Sequence, residues 1–92
     1  MSNILLVVCN GGTVQEIESC LKNGDDVNAT GEKGRMPLHY AAHANSLEVV
    51  QYLIRKGAKV NAKDDTGMAP INYAMAKGRT EIVNELRANG AQ

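Results

Sequence analysis

Apolar residues between positions 47 and 54 recur with the spacing of one helix face. Leu47, Val50 and Leu53 lie three residues apart and Ile54 follows, whereas the charged and amide side chains between them fall on the opposite face. This spacing predicts an amphipathic helix whose apolar stripe packs on a neighbouring helix. Gly57 is expected to end it, because glycine readily adopts the left-handed conformation that follows a helix C-terminus.

A shorter helix is predicted ahead of this one. Pro37 precedes the run Leu-His-Tyr-Ala-Ala, and proline suits the first helical turn because its φ is already helical and its missing N–H would have no partner there. Asn45 suits the left-handed conformation that ends this helix, and Ser46 or its neighbour caps the next. Residues 58–67 lose the helical period and carry asparagine, aspartate and glycine, which indicates an extended arm and a tight turn. One unit is therefore helix, turn, helix and hairpin-like loop.

The chain repeats this unit with a period of 33 residues. The shift places Pro37 on Pro70, and it places Gly57 on both Gly24 and Gly90. Each predicted helix is shorter than the ~12–15 residues needed to be stable alone, so the units must stack on one another. The matched core positions include Leu5, Leu38 and Ile71, then Ile17, Val50 and Val83, then Cys20, Leu53 and Leu86.

The second unit resembles the ankyrin repeat. Residues 34–42, which read Gly-Arg-Met-Pro-Leu-His-Tyr-Ala-Ala, are similar to the family pattern Gly-x-Thr-Pro-Leu-His-x-Ala-Ala, and residues 57–62 are similar to Gly-Ala-Asp-Val-Asn-Ala. The resemblance implies an all-α fold, a short ankyrin-repeat solenoid of helix-turn-helix units joined by β-hairpin-like loops. It also implies one domain over 1–92, with a shortened N-terminal capping repeat (1–30), a second repeat (31–63) and a third, C-terminal repeat (64–92). The second unit is also similar to small stand-alone ankyrin proteins such as myotrophin.

Three departures from the family pattern predict a thin stability margin. The family's Thr before proline, which caps the first helix, is Met36 in the second unit and Ala69 in the third. Losing such a cap typically costs ~1 kcal/mol. The family's His is Asn72 in the third unit, so weaker hydrogen bonding between repeats is expected there.

Composition narrows the class of protein. With 43% hydrophobic residues, and with ten basic residues balancing ten acidic ones, the chain is expected to fold and to lack the electrostatic field that attracts nucleic acid or an anionic membrane. The apolar run from Ile4 to Cys9 is shorter than the roughly 20 residues of a membrane helix.

Cys9 and Cys20 lie in apolar helical patterns, which predicts reduced core thiols in an intracellular protein, cytoplasmic or nuclear. Since the tyrosines are the sole aromatic residues, the core is expected to consist of Leu, Ile, Val, Ala and Met.

Residues with catalytic or metal-binding potential have simpler interpretations. His39 and His43 lie four apart on one helix, but no third ligand accompanies them, and the resemblance gives His39 a structural role. Asn28 begins a glycosylation sequon but belongs to the repeat pattern, and the resemblance raises its hydroxylation as an alternative. The acidic pairs Asp25-Asp26 and Asp64-Asp65 are interpreted as solvated turns. No Ser or Cys has a plausible His partner, so we predict no enzymatic activity, cofactor or metal.

The surface that such a fold presents is the main candidate for function. In ankyrin-like stacks, partners usually bind the concave side, which is formed by the hairpin tips and the solvent-facing positions of each first helix. The resemblance therefore implies a non-enzymatic module for a protein partner of unknown identity, with no nucleic acid and no membrane partner. The candidate contact residues on this surface are Asn10, Thr30, Glu32, Lys33, Arg35, Tyr40, His43, Ala44, Lys63, Asp65, Thr66, Met68, Tyr73, Ala76 and Lys77.

An alternative of a different class is a structural role. Ile4, Leu6 and Val7 occupy positions where a terminal repeat should face water, and solenoid ends normally need polar outer faces. This pattern predicts self-association through the apolar end residues, or a chain that is an end unit or fragment of a longer array or an artificial minimal repeat scaffold.

Overall fold

The helices of this protein form two stacked layers. The computed structural model describes residues 11–44 and 47–91, without the side chain of Ala44. Within them lie five α-helices and no β-strand: α1 (Val14–Lys22), α2 (Pro37–Ala44), α3 (Leu47–Arg55), α4 (Pro70–Ala76) and α5 (Thr80–Ala88). The predicted all-α solenoid is confirmed, and its loops carry turns and a single 3₁₀ turn, Glu32–Gly34.

Contacts between helices define the layers. The first helices, α2 and α4, pack on each other, and each also packs on the helix that follows it, α3 or α5. The second helices of the three units are α1, α3 and α5. They form the other layer, in which α3 contacts both α1 and α5. Neither kind of helix could be stable alone at these lengths, so the stack itself supplies the stability.

The core runs between the layers and includes one tyrosine. Ile17, Leu53 and Leu86, one from each second helix, are completely buried. The predicted core of Leu, Ile, Val and Ala is confirmed, but Tyr52 is also buried whereas Met75 is 52% exposed, so the prediction is wrong in including Met and in leaving out tyrosine. The physical reason is that α3 is covered by α1 and α5 as well as by α2, which buries its flanks in addition to its inner stripe.

Two helix ends show how local sequence sets the boundaries. Thr13 and Glu16 form a capping box at the start of α1, in which the Glu16 amide donates to Thr13 Oγ1 (3.2 Å) and the Thr13 amide donates to Glu16 Oε1 (2.9 Å). At the end of α3, Gly57 has φ of 98°, and the Ala58 amide donates to the Leu53 carbonyl (3.0 Å). This geometry confirms the predicted role of Gly57.

The two proline-led helices lack a side-chain cap but keep half of the capping arrangement. The Met36 amide donates to His39 Nδ1 (3.0 Å), and the Ala69 amide donates to Asn72 Oδ1 (2.8 Å). The residue that replaces His in the third unit thus still satisfies the backbone at the helix start. Neither helix has a threonine hydroxyl to accept from its first backbone amides, but the side chains of His39 and Asn72 each satisfy one backbone amide at the helix start.

Asparagines join successive units. Asn28 Nδ2 donates to the Gly57 carbonyl (3.1 Å), and Asn28 Oδ1 accepts from the Lys59 amide (2.9 Å). Asn61, one period later, donates to the Gly90 carbonyl (2.9 Å). Asn28 therefore has a structural role in the stack, as its place in the repeat pattern indicated.

Several predictions concern residues that lie outside the described part of the chain. They are the apolar positions Ile4, Leu6 and Val7, the thiol of Cys9, and the turn at Asn45 and Ser46. Cys20 is buried with a free thiol, as predicted. Among the described helices, none has the length and apolarity to cross a membrane.

Candidate functional site

A pocket of about 170 Å³ opens between α2 and α4. Arg35 lies just ahead of α2, while His39, Tyr40 and His43 project from α2, and Tyr73 projects from α4. His39 is buried, His43 is exposed, and the other three side chains are partly exposed. The pocket therefore combines a guanidinium group, two phenol rings and two imidazoles in one concave place.

A buried carboxylate lies beneath this pocket. Asp64 Oδ1 accepts hydrogen bonds from the Thr66 hydroxyl (2.6 Å), the Thr66 amide (2.9 Å) and the Met68 amide (3.0 Å). Asp64 Oδ2 accepts from the Tyr73 hydroxyl. Burial acts to raise the pKa of Asp64, but the hydrogen bonds from Thr66, Tyr73 and Met68 outweigh it and hold that pKa well below its usual range. Asp64 is thus ionised and positions the Tyr73 ring.

Asp64 corrects one prediction. The pair Asp64-Asp65 was interpreted as a solvated turn, yet Asp64 is only 6% exposed while its neighbour Asp65 is exposed. The turn itself is present, since the Gly67 amide donates to the Asp64 carbonyl (2.9 Å). The solvated interpretation fails because α4 brings the Tyr73 hydroxyl over the carboxylate.

Arg35 lies between this carboxylate and the pocket. Its Nε is 4.0 Å from Asp64 Oδ2, and 29% of its side chain is exposed. Side-chain hydrogen bonding with Tyr73 and then Tyr40 raises the pKa of Arg35, so the guanidinium stays charged. Within the described residues Arg35 Nε has no hydrogen-bond partner and is sealed from solvent. The guanidinium is therefore held by the Tyr73 and Tyr40 side chains rather than by a bidentate ion pair with Asp64.

His39 supports the site from below as a neutral ring. Its Nδ1 accepts from the Met36 amide (3.0 Å), and its Nε2 lies 2.9 Å from the Met68 carbonyl oxygen. These partners require the tautomer with hydrogen on Nε2. Burial lowers the pKa of His39, and its ring packs edge-on against Tyr73 with centroids 5.6 Å apart. His39 thus links two repeats and holds the aromatic wall.

The mouth of the pocket at His43 is electropositive. Partial desolvation at the mouth of the pocket, followed by the charges of Lys77, Arg79 and Arg35, lowers the pKa of His43. Arg79 Nε also donates to the His43 carbonyl (3.0 Å). The charged groups that shift this histidine are all cations, so an anion approaching this edge is attracted.

The loop tips beside the pocket are held together through their backbones. The Asp65 amide donates to the Lys33 carbonyl (2.8 Å), which joins the tip of one loop to the next. Lys33 adopts φ of 58° and Gly34 φ of 70°, left-handed values that suit glycine and cost other residues about 1–2 kcal/mol. A Cβ on Gly34 would lie 2.6 Å from Asp65 Oδ1, but that carboxylate ends an exposed side chain that can turn away, so the positive φ is the main reason for glycine here.

The structure brings four predicted contact residues together in the pocket. Arg35, Tyr40, His43 and Tyr73 all line it. Met68 is partly exposed in the loop before α4, and Asn10 and the Ala44 side chain lie outside the described part of the chain. The remaining predicted contact residues are all exposed, at Thr30, Glu32, Lys33, Lys63, Asp65, Thr66, Ala76 and Lys77.

Two residues of the site were missed by sequence reasoning. Asp64 organises the pocket. The sequence pattern that could have identified it is an Asx turn, in which the aspartate accepts a hydrogen bond from the amide of the threonine two residues later. Arg79 contributes charge and a hydrogen bond at the rim, and nothing in the repeat pattern marks it. Within residues 11–44 and 47–91, no group of three or more His, Cys, Asp or Glu side chains could hold a metal ion.

Comparison with known families gives a match over nearly the whole chain. The family model described as ankyrin repeats matches residues 4–92 in three copies. Comparison with curated proteins finds no relative that matches.

Proposed function

Because the chain belongs to the ankyrin-repeat family, whose members are generally non-enzymatic protein-interaction modules, we propose that it binds a protein partner through its concave surface. This surface consists of the loop tips and the exposed positions of α2 and α4. The observation that carries the proposal is the pocket in which Arg35, Tyr40 and Tyr73 converge above buried Asp64.

Pre-organisation is the physical argument for this surface. Arginine and tyrosine are enriched among residues that dominate binding energies at protein interfaces. Here Tyr73 is fixed by its hydrogen bond to Asp64 and by the edge contact with His39, so little side-chain entropy is lost on binding. The exposed side chains of the loop tips surround this centre with polar groups, as the rim of an interface requires.

The proposal extends to the residues and setting predicted from sequence. The described contact residues are the pocket side chains and loop tips, and Asn10 and Ala44 remain predicted contacts. The same proposal divides the repeats between residues 30 and 31 and between residues 63 and 64. It also includes the similarity of the second unit to myotrophin and an intracellular location, cytoplasmic or nuclear. The buried free thiol of Cys20 is compatible with that location.

Affinity capture with charge-reversal variants tests the proposal. The tagged chain would be cross-linked in extract of its native cells, and recovered proteins quantified by mass spectrometry. The concave-surface variant is Lys33→Glu with Lys77→Glu. The matched control, Lys22→Glu with Arg87→Glu, makes the same change in net charge at exposed positions of α1 and α5.

We expect a specific partner that the parent chain and the control variant recover and that the concave-surface variant loses at least about tenfold. Circular dichroism would establish that both variants keep the parental helix content. Equal recovery by the two variants would contradict binding through this surface. No enriched protein with the parent chain would contradict the protein-binding function itself.

A further inference from the structure

We infer that the pocket between α2 and α4 takes a single carboxylate side chain, an aspartate or glutamate of the partner protein. This inference deepens the proposed function and rests on it. Its basis is the juxtaposition of Arg35, Tyr40 and Tyr73 in the pocket, together with the positive charges of Lys77 and Arg79, which act on His43 at its edge.

The size of the pocket fits one side chain. At about 170 Å³ it is smaller than the roughly 300–1,000 Å³ of pockets that enclose drug-sized ligands. A nucleotide or an organic cofactor would not be enclosed, whereas a short acidic side chain would.

The donors of Arg35 that can reach an occupant lie on its Nη atoms, because Nε is sealed from solvent, and they define the chemistry of the occupant. The Tyr73 hydroxyl gives its hydrogen to Asp64, so it serves Arg35 only as an acceptor. The N–H donors of the guanidinium outnumber the two phenol oxygens beside it. A planar carboxylate matches the fork of such donors, which makes arginine the preferred residue for binding it.

The charge balance favours a monoanion. Asp64 lies 4.0 Å from Arg35 and offsets part of its charge from below, and its carboxylate is already satisfied by hydrogen bonds from Thr66, Met68 and Tyr73. Desolvation, followed by the charges of Lys77, Arg79 and Arg35, lowers the pKa of His43, so its ring adds no positive charge at neutral pH. One guanidinium, with Lys77 and Arg79 outside the lining of the pocket, suits one negative charge, whereas phosphorylated groups are usually held by arginine clusters.

Titration with small peptide mimics tests this inference. The probe is N-acetyl-glutamate N-methylamide, compared with the matched glutamine derivative, which has nearly the same shape and no charge. Amide signals of the ¹⁵N-labelled chain would be followed by NMR, with attention to residues 35–43 and to Tyr73. Inorganic phosphate serves as the competing anion.

We expect saturable shifts in these signals with the glutamate probe, in the millimolar range, and at least about fivefold weaker binding of the glutamine probe. Arg35→Gln should weaken glutamate binding at least about tenfold, while Arg87→Gln, the same change on exposed α5, should leave it unaltered. Tyr40→Phe, which leaves the hydrogen bonds of Asp64 intact, should weaken it about twofold and gives a second test should Arg35→Gln fail to fold.

Equal binding of the two probes, tighter binding of phosphate than of the glutamate probe, or shifts confined to other parts of the chain would overturn the inference. Capture of a partner without any preference for glutamate would overturn it and leave the protein-binding function standing. A glutamate preference without any captured partner would overturn that function and leave the carboxylate pocket standing.

Discussion

Replacing Asp64 tests the claim that a buried carboxylate organises the concave surface. In Asp64→Ala, the amides of Thr66 and Met68 and the hydroxyls of Thr66 and Tyr73 all lose their acceptor. Hydrogen bonds to charged groups contribute about 1.5–3 kcal/mol each when their loss leaves a donor unsatisfied. Thr66 is exposed and its donors can turn to water, so only part of this sum is lost.

The expected cost is about 2–4 kcal/mol. A chain of this size has a free energy of unfolding on the order of 5–14 kcal/mol, so the variant should still fold but with a much smaller margin. In urea, with a slope of about 1.5 kcal/mol per molar, the unfolding midpoint should fall by roughly 1–3 M. The decrease should appear equally in circular dichroism and in tyrosine fluorescence, because one cooperative unit unfolds.

Asp65→Ala is the matched control, since it makes the same chemical change at the next residue. Asp65 is exposed, and the bond that joins the loop tips uses its backbone amide, which alanine retains. We expect a change within about 0.5 kcal/mol. Asp64→Asn should fall between the two, because an amide oxygen still accepts from the loop amides while the charge is lost. Equal midpoints for Asp64→Ala and Asp65→Ala would refute the organising role of Asp64.

Three other predictions concern stability. Burial keeps His39 neutral by lowering its pKa. The contribution of His39 to the free energy of unfolding is therefore fully present above the unfolded-state pKa of about 6.5, and it is lost as pH falls below that value, by up to ~1.4 kcal/mol per pH unit. Urea titrations at pH 7.5 and 5.0 should show this loss, and a smaller loss in His39→Asn. Leu53→Ala should cost about 2–5 kcal/mol in urea unfolding because Leu53 is completely buried, whereas exposed Arg55→Ala should stay within about 0.5 kcal/mol. Asn61→Ala removes the hydrogen bond to the Gly90 carbonyl and should lower the thermal midpoint by a few degrees. The control Asn84→Ala, at an exposed position of α5, should lower it less.

Local sequence was sufficient for α3 and its C-terminal end. The spacing of Leu47, Val50 and Leu53 and the glycine at 57 depend on interactions within one unit, so the predicted helix and its C-terminal stop are where the structure has them. Tyr52 lies outside the predicted apolar stripe of α3, and the structure buries it in a helix that also packs on α1 and α5, which belong to other units. Periodicity within a helix identifies its inner face but not the flanks that stacking covers.

The candidate site shows the same division. Arg35, Tyr40 and Tyr73 were predicted as surface positions because the repeat pattern leaves them exposed, but their convergence on one pocket depends on the packing of α2 against α4. Asp64 and Asp65 are chemically identical neighbours in the sequence. The buried carboxylate differs from the exposed one in accepting hydrogen bonds from the Thr66 and Met68 amides and, nine residues further on, from the Tyr73 hydroxyl, which α4 supplies.

The backbone bond between the loop tips has a consequence for divergence. The spacing of these tips is set by the Lys33 carbonyl and the Asp65 amide, groups that every residue except proline can supply at the second position. Substitutions at Glu32 or Asp65 can therefore alter what the surface recognises without changing the distance between the loops. Related chains could exchange partners by drift at these tips, and a library randomised there would sample new specificities on an unchanged frame.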